Sequence, residues 1–234
     1  MKGVNTRETM PDRSGPGLTT TALSIDELQG GGDKCDTEAK EPRKTFKLTS
    51  EAANIGTWNV RTLYACGKPI ELENELKRYR WDIIGLAEVR WTGSGETTTE
   101  EGNKIWYSGD ELQHAHGAAF IVRKEVIGCI MSCTPVYSRI ISIRVSARPK
   151  NITIIQVYAP TSDHDDQEVE EFYEALENTI KQAPRKDIII IQGDFNAKVD
   201  KMRLRTGLEQ LENLDWVKKT RGDSTFWNLL AVSD

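Results

Sequence analysis

The chain has no run of about 18 apolar residues, the length a bilayer-spanning helix needs. Its first residues hold no apolar stretch of the kind a signal peptide requires. The expectation is a non-secreted protein without a membrane segment, nuclear or cytoplasmic. A basic surplus is missing too. Lys and Arg number 31 against 36 Asp and Glu, for a net charge of −5. Phosphate neutralisation by cations drives most nucleic-acid affinity, so any such role here must rest on a local basic face or a bound cation. Zinc-type cysteine spacing is absent. Cys35, Cys66, Cys129 and Cys133 stand alone, which suits free thiols in a reducing compartment. Apolar residues are scarce at 38% while charged ones reach 29%, so part of the 234 residues is solvated rather than core.

What is there divides into three. Residues 1–49 mix Gly, Pro, Thr and charge without an apolar period, and read as a disordered arm with at most a helical turn near Ser24–Leu28. Residues 50–199 change texture. Ala53–Val60, Asp82–Val89, Lys104–Tyr107, Ala118–Arg123, Val136–Val145, Ile152–Tyr158 and Asp187–Gln192 read as strands, the last through four consecutive isoleucines, which mark burial on both faces. Ile70, Leu72, Leu76 and Tyr79 suggest an amphipathic helix. Asp166–Gln182 predicts a stronger one, with Val169, Phe172, Tyr173, Leu176 and Ile180 in one stripe, acids in its first turns and Pro184 as its stop. Residues 200–234 read as a helical or disordered tail, with a helix over Met202–Trp216. Mixed strands and two helices predict a layered α/β (α+β) domain.

Three predicted strands end in polar residues that a core strand does not need: Asn59, Glu88, and Asp194 followed by Asn196. On an extended segment residues two apart share a face, so Asp194 and Asn196 converge on one ligand. Carboxylate and amide oxygens suit a hard cation such as Mg²⁺. Each signal has a bland alternative. A lone Glu at a strand end is commonly a solvated edge, and Asp-x-Asn is commonly turn chemistry. Tyr158 ends a further strand, either as core or as a phenol at the site rim. His114 and His116 read as loop-edge histidines, with phosphate contact the lesser alternative, and His164 as a cap or a solvated side chain.

In order and spacing, Trp58-Asn59-Val60-Arg61, Leu86-Ala87-Glu88-Val89-Arg90, Val157-Tyr158-Ala159-Pro160 and Gly193-Asp194-Phe195-Asn196-Ala197 resemble the endonuclease/exonuclease/phosphatase superfamily. The wording of Thr57–Leu63 and Glu88–Gly93 looks most like its retrotransposon-derived members. The resemblance implies a four-layered, DNase I-like β-sandwich and phosphodiester hydrolysis in nucleic acid, DNA being the substrate. It implies Glu88 as metal ligand with Asn59 beside it, and magnesium as the ion, with manganese as an alternative. It further implies Asp194 as the residue that orients or deprotonates water, and Asn196 and Tyr158 as phosphate contacts. Products would carry a 3′-hydroxyl and a 5′-phosphate.

The superfamily completes its site with a later acid and a Ser-Asp-His triplet, and neither follows Val199 here. The resemblance therefore implies a sandwich incomplete in its C-terminal half, an exposed sheet that a protein partner could cover, and impaired catalysis. Three alternatives compete with an active endonuclease. One is a catalytically dead remnant used for binding or scaffolding. Another is a poorly folding mobile-element copy. The third is a lipid phosphatase of the same superfamily.

Overall fold

The computed structural model describes residues 53–161 and 164–196, together with short strands at 19–23, 46–47, 215–216 and 230–232. Two mixed six-stranded sheets lie face to face. The first contains β1 (Thr19–Leu23), β3 (Ala53–Asn59), β4 (Ile83–Ala87), β5 (Ser94–Thr98), β6 (Lys104–Ser108) and β7 (Ala118–Val122), in the order β1-β3-β4-β7-β6-β5. The second contains β8 (Ile130–Tyr137), β9 (Ile140–Val145), β11 (Ile152–Tyr158), β12 (Ile188–Asp194), β13 (Asp215–Trp216) and β14 (Leu230–Val232), in the order β13-β14-β12-β11-β9-β8. A minor pair, β2 (Phe46–Lys47) and β10 (Ala147–Arg148), runs parallel.

The layers follow from which faces are apolar. Between the sheets, Ile55, Phe120 and Val122 of the first meet Ile141, Ile143, Ile154 and Ile190 of the second. The first sheet's outer face carries Trp58, Ile84, Leu86 and Ile121, which bury Leu72 and Leu76 of α1 (Lys68–Leu76). The second sheet's outer face offers Ile155, Val157, Ile189 and Ile191 to Phe172 and Leu176 of α2 (Asp166–Gln182). Helix, sheet, sheet, helix makes the four layers expected. Central strands apolar on both faces are the consequence.

The α2 and β11 bounds match those expected from sequence, whereas other elements differ for physical reasons. Val136–Val145 is not one strand but the turn of a β8–β9 hairpin, reversing between Tyr137 and Ile140. The strand β5, Ser-Gly-Glu-Thr-Thr, was not expected, because an exposed edge strand needs no apolar residue. In α1, Ile70 is 48% exposed, while Leu72 and Leu76, four apart, are buried. Within the stretch read as an arm, β1 pairs antiparallel with β3. In the stretch read as a tail, β14 pairs with Ile189–Ile191, so the β12 edge expected to be open is paired. Asp215 and Trp216 lie in β13 rather than at a helix end, and strands of two and three residues carry no readable period. The remainder of the Met202–Trp216 helix and the Ser24–Leu28 turn fall outside the described residues.

Candidate active site

Each sheet contains one parallel pair. β3 runs parallel to β4 with Asn59 opposite Ala87, and β11 runs parallel to β12 with Tyr158 opposite Asp194. Parallel strands end together, so all four tips emerge at one end of the sandwich. A buried polar seam registers the two sheets there. Gln156 donates to Thr57 Oγ1 at 3.0 Å, and Gln192 donates to the Gly56 carbonyl at 3.0 Å. Gly85 makes room for this seam, since a Cβ on it would lie 1.8 Å from Gln156 Oε1.

At the tips the polar groups meet. Asn59 Nδ2 donates to Glu88 Oε1 at 2.7 Å and to Asp194 Oδ2 at 3.0 Å, so one buried amide touches both carboxylates. Asn59 Oδ1 accepts from the Arg61 backbone N–H at 2.9 Å, which fixes the amide's orientation. Arg90 contributes the nearest mobile cation, 3.2 Å from Glu88 Oε2. Burial, helped by the charge of Glu88, raises the Asp194 pKa, against the hydrogen bonds from Asn196 and Asn59 that lower it. Burial, then the charge of Glu88, pushes the Tyr158 phenol up to about 12, and its hydrogen bond to Glu88 acts in the same direction. Two close carboxylates, one of them reluctant to ionise, describe a site short of positive charge.

Backbone strain gathers here. The described non-glycine residues with left-handed φ are Arg61, Glu88, Arg90 and Asn196, at 59°, 60°, 57° and 44°. Each immediately follows or flanks a strand tip. Such residues cost of order 1–3 kcal/mol and persist where the surroundings over-determine them, commonly at functional sites.

The structure thus brings together Asn59, Glu88, Tyr158, Asp194 and Asn196. One expectation about their geometry changes. Asp194 and Asn196 do not share a face of an extended strand. Asn196 turns left-handed, its N–H donates to Asp194 Oδ1 at 3.0 Å, and its side-chain amide donates to the Ala159 carbonyl. Turn chemistry and site chemistry coincide in one Asx turn.

Sequence reasoning missed Arg139. Its side chain is 1% exposed, in the β8–β9 turn, where a charged residue is normally solvated. Its guanidinium carbon lies 5.1 Å from the Tyr158 ring centroid. His116 and His164, read as loop or cap residues, both touch it: each Nε2 stands 3.1 Å from Arg139 Nη2. Together with Glu168, these histidines bring ligand atoms within 4.8 Å of one another. A guanidinium nitrogen, however, already lies within bonding distance of all three. A dication would need to displace or face that charge, so the carboxylate oxygens of Glu88 and Asp194, beside the Asn59 amide, fit a hard metal ion better. His114 is exposed, its Nδ1 2.9 Å from the Arg90 carbonyl and its ring centroid 3.9 Å from that of Tyr64.

Comparison with known proteins bears on the fold and the family. Craniofacial development protein 2 of Bos taurus is 40% identical over 154 residues, covering 66% of this chain and 26% of the relative. The chain therefore spans about a quarter of that protein's length. Among solved structures, humanised D. rerio TDP2 superposes with a TM-score of 0.51 at 18% identity, covering 76% of this chain and 81% of the other. AP endonuclease LMAP from Leishmania major gives 0.50 at 13% identity, with 76% of this chain and 78% of the other covered. These likenesses establish the fold. The sequence profile of the Endonuclease/Exonuclease/phosphatase family matches residues 56–231, and the chain belongs to that family.

Proposed function

We propose that the chain hydrolyses phosphodiester bonds in nucleic acid, DNA foremost, with magnesium. The observation that carries this reading is the single amide of Asn59 bridging Glu88 and Asp194 at the joint end of two parallel strand pairs. Glu88 would hold the ion, with the Asn59 amide beside it orienting the carboxylate, and the ion when bound would offset charge developing on the phosphoryl oxygens. Asp194 orients a water molecule and takes its proton as the oxygen attacks phosphorus. Its raised pKa makes it a stronger base than an ordinary carboxylate. Tyr158 remains a neutral donor at physiological pH, because its pKa stands near 12, and its one O–H turns from Glu88 to a phosphoryl oxygen when the substrate binds. One Asn196 N–H is held by the Ala159 carbonyl, which leaves its partner N–H for the same phosphate. The bond to the 3′ oxygen breaks, and that oxygen leaves as a hydroxyl after taking up a proton.

Plasmid nicking tests this. Wild type is expected to convert supercoiled DNA to the open circle with Mg²⁺ and not with EDTA, and Glu88→Ala is expected to abolish the conversion. Equal nicking by Glu88→Ala and wild type would remove the reading. DNA binding without cleavage, unchanged in Asp194→Ala, would favour a binding or scaffold role instead.

A further inference from the structure

We propose that Arg139 is a positioning residue of this site, a buried fork that holds the Tyr158 ring against the carboxylates by engaging Glu168, His116 and His164 behind it. The inference rests on the hydrolytic reading above and adds to it a residue that touches no substrate.

The count of donors and acceptors leads there. Nε and Nη2 together carry three of the guanidinium's five N–H groups. Three acceptors meet them. Nε donates to Glu168 Oε1 at 3.0 Å, and Nη2 stands 2.6 Å from the same oxygen and 3.1 Å from both His116 Nε2 and His164 Nε2. Nε and one Nη2 proton close a fork on Glu168, and the second Nη2 proton is shared between the two histidines. A guanidinium carries donors and no acceptor, so each Nε2 facing it presents its lone pair, and each imidazole is neutral with its proton on Nδ1. For His164 a second contact supports this arrangement, since its Nδ1 lies 2.7 Å from Thr161 Oγ1. Nη1 is buried without a hydrogen-bond partner. A buried charge left so is costly unless something compensates it, and the nearby Tyr158 face supplies the negative surface of an aromatic ring. The His116 ring centroid lies 6.4 Å from that of Tyr158.

The frame around the fork is stiff. Arg139 follows the β8 strand, and its carbonyl accepts from the Tyr158 backbone N–H at 2.9 Å. Glu168 stands in the first turn of α2. The His116 carbonyl accepts from the Arg90 N–H at 2.7 Å, which reaches the loop carrying Glu88. A single guanidinium therefore ties together the β8–β9 turn, the α2 start, the loop before β7 and the phenol. Lysine cannot replace it, because an ammonium is a point charge without the planar fork.

Two measurements decide the matter. In wild type, long-range proton–nitrogen NMR is expected to show His116 and His164 as Nδ1–H tautomers at neutral pH, and a proton on either Nε2 would overturn the clamp. Arg139→Lys, shown folded by a cooperative melt, is expected to lower kcat for Mg²⁺-dependent nicking about 10- to 100-fold with KM little changed, the scale of a site misplaced by about 1 Å. Wild-type kcat in folded Arg139→Lys, or a loss confined to KM, would overturn the positioning role. A wild type without Glu88-dependent nicking would instead refute the hydrolytic reading, and the tautomers would then decide the clamp by themselves.

Discussion

Arg61 sits at a φ of 59°, exposed, and among the described residues no ion pair engages its side chain. Arg61→Gly should relieve left-handed strain of roughly 1 kcal/mol, raising stability in urea titration, while the Asn59 contact to its N–H persists. His116 gives a second expectation at this scale. Burial first, and then the Arg139 charge, lower its pKa in the folded state. The unfolded chain therefore binds the proton more readily, so stability is present above the ordinary histidine value of about 6.5 and declines as pH falls from there towards the lowered value. Melting temperature measured from pH 8 to pH 5 should show this acid loss, and His116→Gln should reduce it. Chemical identity at the site was legible residue by residue, since Asn59, Glu88, Tyr158, Asp194 and Asn196 all end or follow strands. Arg139 was not legible. Nothing local distinguishes a buried arginine in a turn from a solvated one, and its partners come from stretches 23 to 29 residues away.

At the scale of elements, legibility tracked burial. The four isoleucines of β12 and the apolar stripe of α2 have two-sided or one-sided burial, which writes a period into the sequence. β5 has nearly none, and β13 and β14 are too short to show one. Gly193 is the element-level weak point. Its φ is 136°, and a Cβ there would lie 1.9 Å from the Val157 carbonyl oxygen. Gly193→Ala should force β11 and β12 apart beside Asp194, costing about 3 kcal/mol or more. Denaturant titration would measure the stability loss, and nicking per folded molecule should fall with it. Leu176→Ala, in α2 at 0% exposure, should cost about 2–5 kcal/mol yet leave the nicking rate of the folded fraction near wild type, because it faces away from the tips.

For the whole molecule, the acidic balance and the paired carboxylates point the same way. A cation that binds only the folded chain stabilises it by mass action, about 2.7 kcal/mol at a hundred times its dissociation constant. Added Mg²⁺ should therefore raise the melting temperature of wild type, and Glu88→Gln should lose most of that rise; equal rises would argue against these oxygens as the ion's seat.

Asn59 and Asp194 meet at a sequence separation of 135, and neither parallel pair can close before its helical crossover is in place. No contiguous fragment shorter than residues 59–196 contains the tip cluster. Hydrolysis, if measured during refolding, would thus act as a late clock: its recovery should lag the regain of helical signal and coincide with the last long-range contacts, since pairings this distant are slow to form.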